Sequence, residues 1–196
     1  MRNALAAILV CMLSAGAFAL DVNKGELESI ANQRIQFLNY EGPPQKVETR
    51  AQITGIGSFL GSDHVGTAGT RDYAGRYRII HAVDPSTPKG LDADIFIIEK
   101  DAQVDHIDNI RLILAGYFQT AYAYNQSDST LLAYFTTIYN AVYRGNMTFF
   151  EGRYKSVVTQ NLSPENAGIA TAYNEWPGRT RMVIPLGPGA AVGALG

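Results

Sequence analysis

Apolar residues recur at helical spacing through the middle of the chain. The first stripe covers residues 104–124 and consists of Ile107, Ile110, Leu114, Tyr117 and Ala121. A second stripe, after Ser127 as the predicted N-cap, consists of Leu131, Phe135, Ile138 and Val142. A third, shorter stripe consists of Phe150, Tyr154 and Val157 or Val158. This periodicity predicts three amphipathic helices that share a packed core.

Two further helices are predicted upstream. Asn23 can cap a helix that ends at Gly42-Pro43-Pro44, because glycine and proline stop the helical repeat. Residues 49–61 also have helical spacing, although a strand is the alternative, since each internal glycine costs about 1 kcal/mol relative to alanine. We expect these glycines to allow close helix packing. Residues 62–74 are rich in Gly, Thr and Asp, which predicts an exposed loop.

Strand patterns occur in three places. Residues 76–83 and 93–99 are rich in aromatic and β-branched side chains, and the Pro- and Gly-containing linker predicts an antiparallel pair. Ser163-Pro164-Glu165 predicts a two-turn helix, and the turn at Trp176-Pro177-Gly178 precedes a third strand over residues 181–186. The predicted fold class is α+β, with several helices packed on a small, mainly antiparallel sheet of about three strands.

The N-terminus has the pattern of an export signal. Arg2 provides the positive start, an apolar run follows from Ala4 to Met12, and Ala17-Phe18-Ala19 matches the site that signal peptidase cleaves. The run is too short to span ~30 Å of hydrocarbon. We therefore predict a signal peptide over residues 1–19, one globular α+β domain over 20–186 and a flexible Gly/Pro/Ala tail or linker over 187–196. No transmembrane span is expected after cleavage.

Composition limits the setting and the partners. Sixteen Lys and Arg against eighteen Asp and Glu give a formal net charge of −2, which offers no electrostatic footprint for nucleic acid. The single cysteine, Cys11, lies inside the predicted signal, so no disulfide or lipidated cysteine is expected in the mature protein. An exported chain of this kind fits a bacterial periplasm or cell envelope.

Motifs for catalysis, cofactors and metals are weak. The glycine-rich stretch from Gly55 to Gly61 lacks the Gly-Lys-Ser/Thr ending of a nucleotide-binding loop. His64, His81 and His106 have no ligand spacing, and the aspartates around His106 are typical of a helix start. We therefore predict no catalytic residue, no cofactor and no metal ligand.

Aromatic and arginine side chains mark a candidate contact surface. The chain has eleven tyrosines and one tryptophan. Tyr143, Arg144, Trp176 and Arg179 combine the residue types that anchor partners most effectively, so they are the predicted binding residues. The alternative is that the tyrosines cap the core and that Trp176 packs inside it.

Several separated blocks carry a family resemblance. They are residues 55–60, 93–99, 109–117, 138–145, 175–180 and 184–186, with sequences that include GIGSFL, ADIFIIE, NIRLILAGY, IYNAVYRG and EWPGRT. In this order they resemble the N-terminal domain of the spirochaetal 83/100-kilodalton antigen family. The resemblance implies an exported envelope protein without catalytic residues that could be assigned here. Family members continue into long charged segments, so a truncated chain or a free-standing domain is expected.

Two functional hypotheses follow. The first is a non-enzymatic interaction or structural module that binds another envelope or periplasmic protein. The alternative is an enzyme or a small-ligand-binding protein that acts on a cell-wall component. A pocket with two or more convergent titratable groups favours the alternative, whereas a shallow aromatic surface favours protein contact. Neither composition nor spacing specifies the partner or the oligomeric state.

Overall fold

The described residues form six helices and four strands. The computed structural model describes residues 21, 24–42, 50–62 and 68–187. The helices are α1 (Lys24–Ala31), α2 (Arg50–Gly61), α3 (Ile107–Ala121), α4 (Gln126–Val142), α5 (Met147–Arg153) and α6 (Ser156–Thr159). The strands are β1 (Gly69–Tyr73), β2 (Tyr77–Ala82), β3 (Asp92–Ile98) and β4 (Thr180–Leu186). The predicted α+β class is confirmed, with four strands where about three were expected.

The sheet is antiparallel throughout, in the order β1-β2-β3-β4. The additional strand, β1, falls in the stretch that was predicted as a loop. It pairs with β2 through a tight turn at Ala74 and Gly75, whose φ angles are 53° and 68°. The Arg76 amide donates to the Tyr73 carbonyl at 3.0 Å, and positive φ values at the two central residues are typical of hairpin turns. The polar composition of β1 reflects its place at the exposed edge of the sheet.

Both faces of the sheet are covered by helices. Side chains alternate along β3, so Phe96 and Ile98 join one cluster with α2 and α3, whereas Ile95 and Ile97 join another with α4, α5 and α6. The predicted stripe on α3 is buried along its whole length. On α4, Phe135 and Ile138 are buried, whereas the outer positions of that predicted stripe are only partly covered.

Glycines in α2 serve helix packing. A Cβ atom built on Gly57 would lie 2.0 Å from the Ile113 carbonyl oxygen of α3. Only glycine therefore permits this approach of the two helices, which confirms the expected packing role for Gly57, whereas a Cβ atom on Gly55 would meet nothing within 4 Å. Since the stretch is helical, it does not form a phosphate-binding loop.

Several predicted boundaries are wrong, and for all but the cap of α4 the reason is long-range backbone pairing. The first helix ends at Ala31, because the extended chain near Leu38 pairs with residues 171–173. The third predicted stripe breaks at Tyr154, whose neighbours bond to Leu91. No helix starts at Ser163, where the chain instead turns toward the edge of β4. The cap of α4 is Asn125 and not Ser127.

Some predictions lie outside the described residues. They are the signal peptide over residues 1–19, nearly all of the tail over 187–196, and the capping role of Asn23. Within the described ranges, the structure has no helix that is both long and apolar enough to cross a membrane.

Candidate functional site

A cleft of about 760 Å³ lies between α3 and the first half of α4. This volume falls within the ~300–1,000 Å³ typical of ligand sites. The polar residues that line it are Tyr40, Asp105, His106, Asp108, Asn109, Arg111, Thr130 and Tyr134. They come from three segments that are distant in sequence, and they bring several titratable groups together.

Arg111 is the most firmly held polar side chain of the cleft. Its Nε donates to Thr137 Oγ1 at 3.1 Å, and its Nη1 donates to Asp108 Oδ1 at 3.2 Å. Its Cζ lies 4.4 Å from the centre of the Tyr134 ring and 5.6 Å from that of Phe37. These contacts restrict the guanidinium to one position, and cation–π attraction adds to its stability. Its Nη2 donates to no group in the described part of the chain.

The start of α3 forms the next part of the wall. The Asp108 amide donates to His106 Nδ1 at 3.3 Å, so His106 caps the helix. A ring nitrogen that accepts a hydrogen bond carries no proton, which places the proton of a neutral His106 on Nε2. The Asp108 carboxylate is 3.7 Å from the same nitrogen, beyond hydrogen-bond range. The capping contact therefore defines the tautomer.

Two tyrosines supply aromatic surface to the cleft. Tyr40 belongs to the extended segment after α1, and its amide donates to the Asp105 carbonyl at 3.0 Å. Its ring packs edge-on against Tyr173, with 5.5 Å between ring centres. Asn39, the preceding residue, accepts a hydrogen bond from the first amide of α3. Tyr134 is 43% exposed, although it covers Arg111.

Trp176 lies in the core behind this cleft. Its side chain is 0% exposed, and its Nε1 donates to the Ala170 carbonyl at 2.9 Å. The indole packs edge-on against Phe37, which in turn contacts Arg111. Trp176 therefore supports the cleft through an intermediate ring and has no surface of its own for a partner. This placement agrees with the alternative interpretation from the sequence.

The other predicted binding residues lie beyond the C-terminal end of α4. Tyr143 stacks on Phe149, with 3.5 Å between ring centres. Arg144 donates to the carbonyl oxygens of Glu165 and Ala167, at 2.5 and 3.1 Å. Both side chains are half-buried, so part of each serves the packing of this end of the domain.

Arg179 and Glu175 are exposed beside Arg144. Burial lowers the pKa of the Arg144 guanidinium; the Glu175 charge opposes this shift and the Arg179 charge adds to it. The three charges are therefore close enough to interact. The Arg179 charge thus lies within interaction range of Arg144, while Trp176 is enclosed in the core. A binding role for this surface stays a prediction.

Sequence reasoning missed a buried polar network. The Asp94 carboxylate is 0% exposed and contacts His81 Nδ1 at 2.5 Å. Tyr117 donates to its Oδ2 at 2.6 Å, and Tyr122 donates to the same oxygen. Burial, followed by the Asp94 charge, raises the pKa of both tyrosines well above their usual value. The network joins the sheet to α3, and an aspartate within an apolar strand was its signal in the sequence.

The histidines have separate roles. His81 belongs to the buried network, His106 caps α3, and His64 lies outside the described residues. Over the described ranges, the structure has no group of three or more His, Cys, Asp and Glu side chains that could hold a metal ion.

Comparison with known proteins gives one result. The sequence model of the family described as Borrelia P83/100 protein matches residues 24–195. The chain belongs to that family. This membership confirms the resemblance, and it indicates an envelope or surface protein of the antigen family. No curated protein and no solved structure matches the chain.

Proposed function

We propose that the chain is an exported, non-enzymatic ligand-binding domain of the cell envelope and that its ligand occupies the cleft between α3 and α4. The observation that carries this proposal is Arg111, a guanidinium fixed by four contacts on the wall of a ligand-sized cleft. A side chain ordered before binding loses little further entropy when a ligand arrives.

The chemistry of the cleft favours binding over catalysis. Thr130 provides an aliphatic hydroxyl, whose proton is donated to a backbone carbonyl of its own helix at 2.8 Å. Asp108 is paired with Arg111, and the Nδ1 of His106 caps a helix. The described lining has no serine, cysteine or lysine nucleophile, and its threonine hydroxyl is bonded to a backbone carbonyl and not to a base. Convergent titratable groups also favour a ligand site over a flat protein contact.

Protein contact is the second candidate function. Its support is the exposed Arg179 beside Glu175 and Arg144, since arginine is prominent at protein interfaces. This surface adjoins the C-terminal end of α4, whereas the cleft lies along the first half of that helix. Variants at the two places can therefore separate the two functions.

Native mass spectrometry tests the proposal. The protein is recovered from its native envelope without denaturation, and low-mass molecules that remain bound are measured. We expect a bound ligand on the parent protein and its loss from Arg111→Gln and Tyr134→Ala. Arg76→Gln and Tyr73→Ala are matched controls, because these residues form a similar cation–π pair at 5.7 Å on the β1–β2 hairpin. Equal ligand content in the cleft and hairpin variants would contradict the proposal.

A further inference from the structure

Charges in the cleft disfavour both anionic and cationic ligands. Arg111 pairs with Asp108 at 3.2 Å, and Asp105 adds another carboxylate to the lining. An anion attracted by the guanidinium therefore meets two negative groups. A cation meets Arg111 itself, which already covers the Tyr134 ring at 4.4 Å. Since like charges repel at this range, the electrostatics favours a ligand without net charge.

The remaining polar groups of the cleft combine donors with acceptors. The hydroxyls of Tyr40 and Tyr134 and the amide of Asn109 can each donate and accept. His106, whose Nδ1 accepts from the Asp108 amide, offers a donor at Nε2. The hydroxyl proton of Thr130 is donated to a backbone carbonyl, so its oxygen can still accept a hydrogen bond. A ligand that carries many hydroxyl groups can satisfy donors and acceptors of this kind together.

Aromatic surface completes the pattern. Tyr134 is 43% exposed, and the ring of Tyr40 packs edge-on against that of Tyr173. The C–H face of a pyranose ring is apolar while its rim carries hydroxyl groups, so a sugar matches an aromatic platform surrounded by polar side chains. A purely apolar ligand would leave the polar groups of the cleft without partners.

From charge, hydrogen-bonding groups and aromatic surface together, we infer that the cleft binds a neutral oligosaccharide. Tyr134 lies against one sugar ring, and Arg111 and Asn109 bond to its hydroxyl groups. This inference rests on the proposed ligand-binding function and specifies its ligand class. The volume of about 760 Å³ accommodates more than one sugar ring.

The test is a titration of the purified chain followed by calorimetry and by amide NMR. The neutral probes are chitotetraose, cellotetraose and maltotetraose, and the charged probes are tetraglutamate and tetralysine. We expect saturable binding of at least one neutral probe, with shifts at the cleft residues, and none of the charged probes there. Tyr134→Ala should raise the dissociation constant of this binding about tenfold or more. Tyr134→Phe retains the aromatic ring and should raise the dissociation constant less. Tyr73→Ala serves as the control outside the cleft.

Each other outcome has a defined meaning. Failure of all three neutral probes to bind, or binding that Tyr134→Ala leaves unchanged, overturns the oligosaccharide inference. Binding of tetraglutamate or tetralysine in the cleft also overturns it, while it supports a ligand-binding function of another class. The proposed function itself fails by a separate result, which is equal ligand content in cleft and hairpin variants recovered from the native envelope.

Discussion

Asn140 offers the sharpest test of how the helical layer is attached to the sheet. Its side chain is fully buried, and its Nδ2 donates to the carbonyls of Val183 and Thr136, each at 2.9 Å. Its Oδ1 accepts from the Val183 amide at 2.7 Å. The side-chain amide of Asn140 therefore bonds to the outer edge of β4 as a neighbouring strand would. These bonds attach α4, the helix that contributes Tyr134 to the cleft, to the sheet.

Replacing Asn140 by alanine leaves the Val183 amide and carbonyl without these partners. A buried backbone group that loses its partner costs about 1–3 kcal/mol, so the two groups together predict a loss of about 2–6 kcal/mol. A single domain is stable by about 5–15 kcal/mol, so the variant is expected to lose a large part of its unfolding free energy. Asn140→Asp keeps the shape but loses both donated bonds, and it should be destabilised near neutral pH.

Urea denaturation at neutral pH measures both variants against the parent chain. Asn174→Ala is the matched control, because Asn174 is exposed and lies in the short 3₁₀ turn of residues 173–175. It should change the unfolding free energy by no more than roughly 0.5 kcal/mol. A loss below about 1 kcal/mol in Asn140→Ala would refute the reasoning, since the edge of β4 would then be satisfied without this side chain.

Four other predictions follow. Phe135→Ala should cost about 3–5 kcal/mol in urea unfolding, because Phe135 is 6% exposed, and a loss below 1 kcal/mol would contradict its core position. The pKa values of Tyr117 and Tyr122 are raised in the folded chain, so just above about pH 10 only the unfolded chain loses these two protons. The unfolding free energy should therefore fall with rising pH by about 1.4 kcal/mol per pH unit for each tyrosine. An unfolding free energy that does not change in this pH range would argue against the burial of the two tyrosines. Intact mass of native protein should show cleavage after Ala19, whereas retention of residues 1–19 would oppose soluble export. Arg179→Ala should leave ligand content and thermal stability unchanged. Loss of the ligand from this variant would instead indicate a binding site near the C-terminal end of α4.

Local periodicity explains which helices the sequence predicts well. The stripe of α3 faces a core along its whole length, so its 3.6-residue repeat indicates the correct buried face. Helical spacing likewise indicates α2 despite its glycines. Partners that are distant in sequence override local preference elsewhere. Leu38 is extended because it pairs with residues 171–173, and the polar strand β1 exists because β2 lies beside it.

The candidate site is harder to predict for the same reason. Its polar groups come from the segment around Tyr40, the start of α3 and the first half of α4, and none of these segments has a motif alone. Arg111 stands out only when its contacts with Phe37 and Tyr134 are seen in the structure. Conversely, Trp176 has the residue type of an interface anchor, but its environment places it in the core.

Mapping by amide NMR tests the central claim most directly. The labelled chain is titrated with the low-mass fraction of its native envelope, and the perturbed amides are located on the structure. A ligand in the cleft predicts saturable shifts at residues such as Asn109, Ala115 and Tyr134, with loss of these shifts in Arg111→Gln. Shifts grouped around Arg179 instead, with the cleft amides unchanged, would contradict the account.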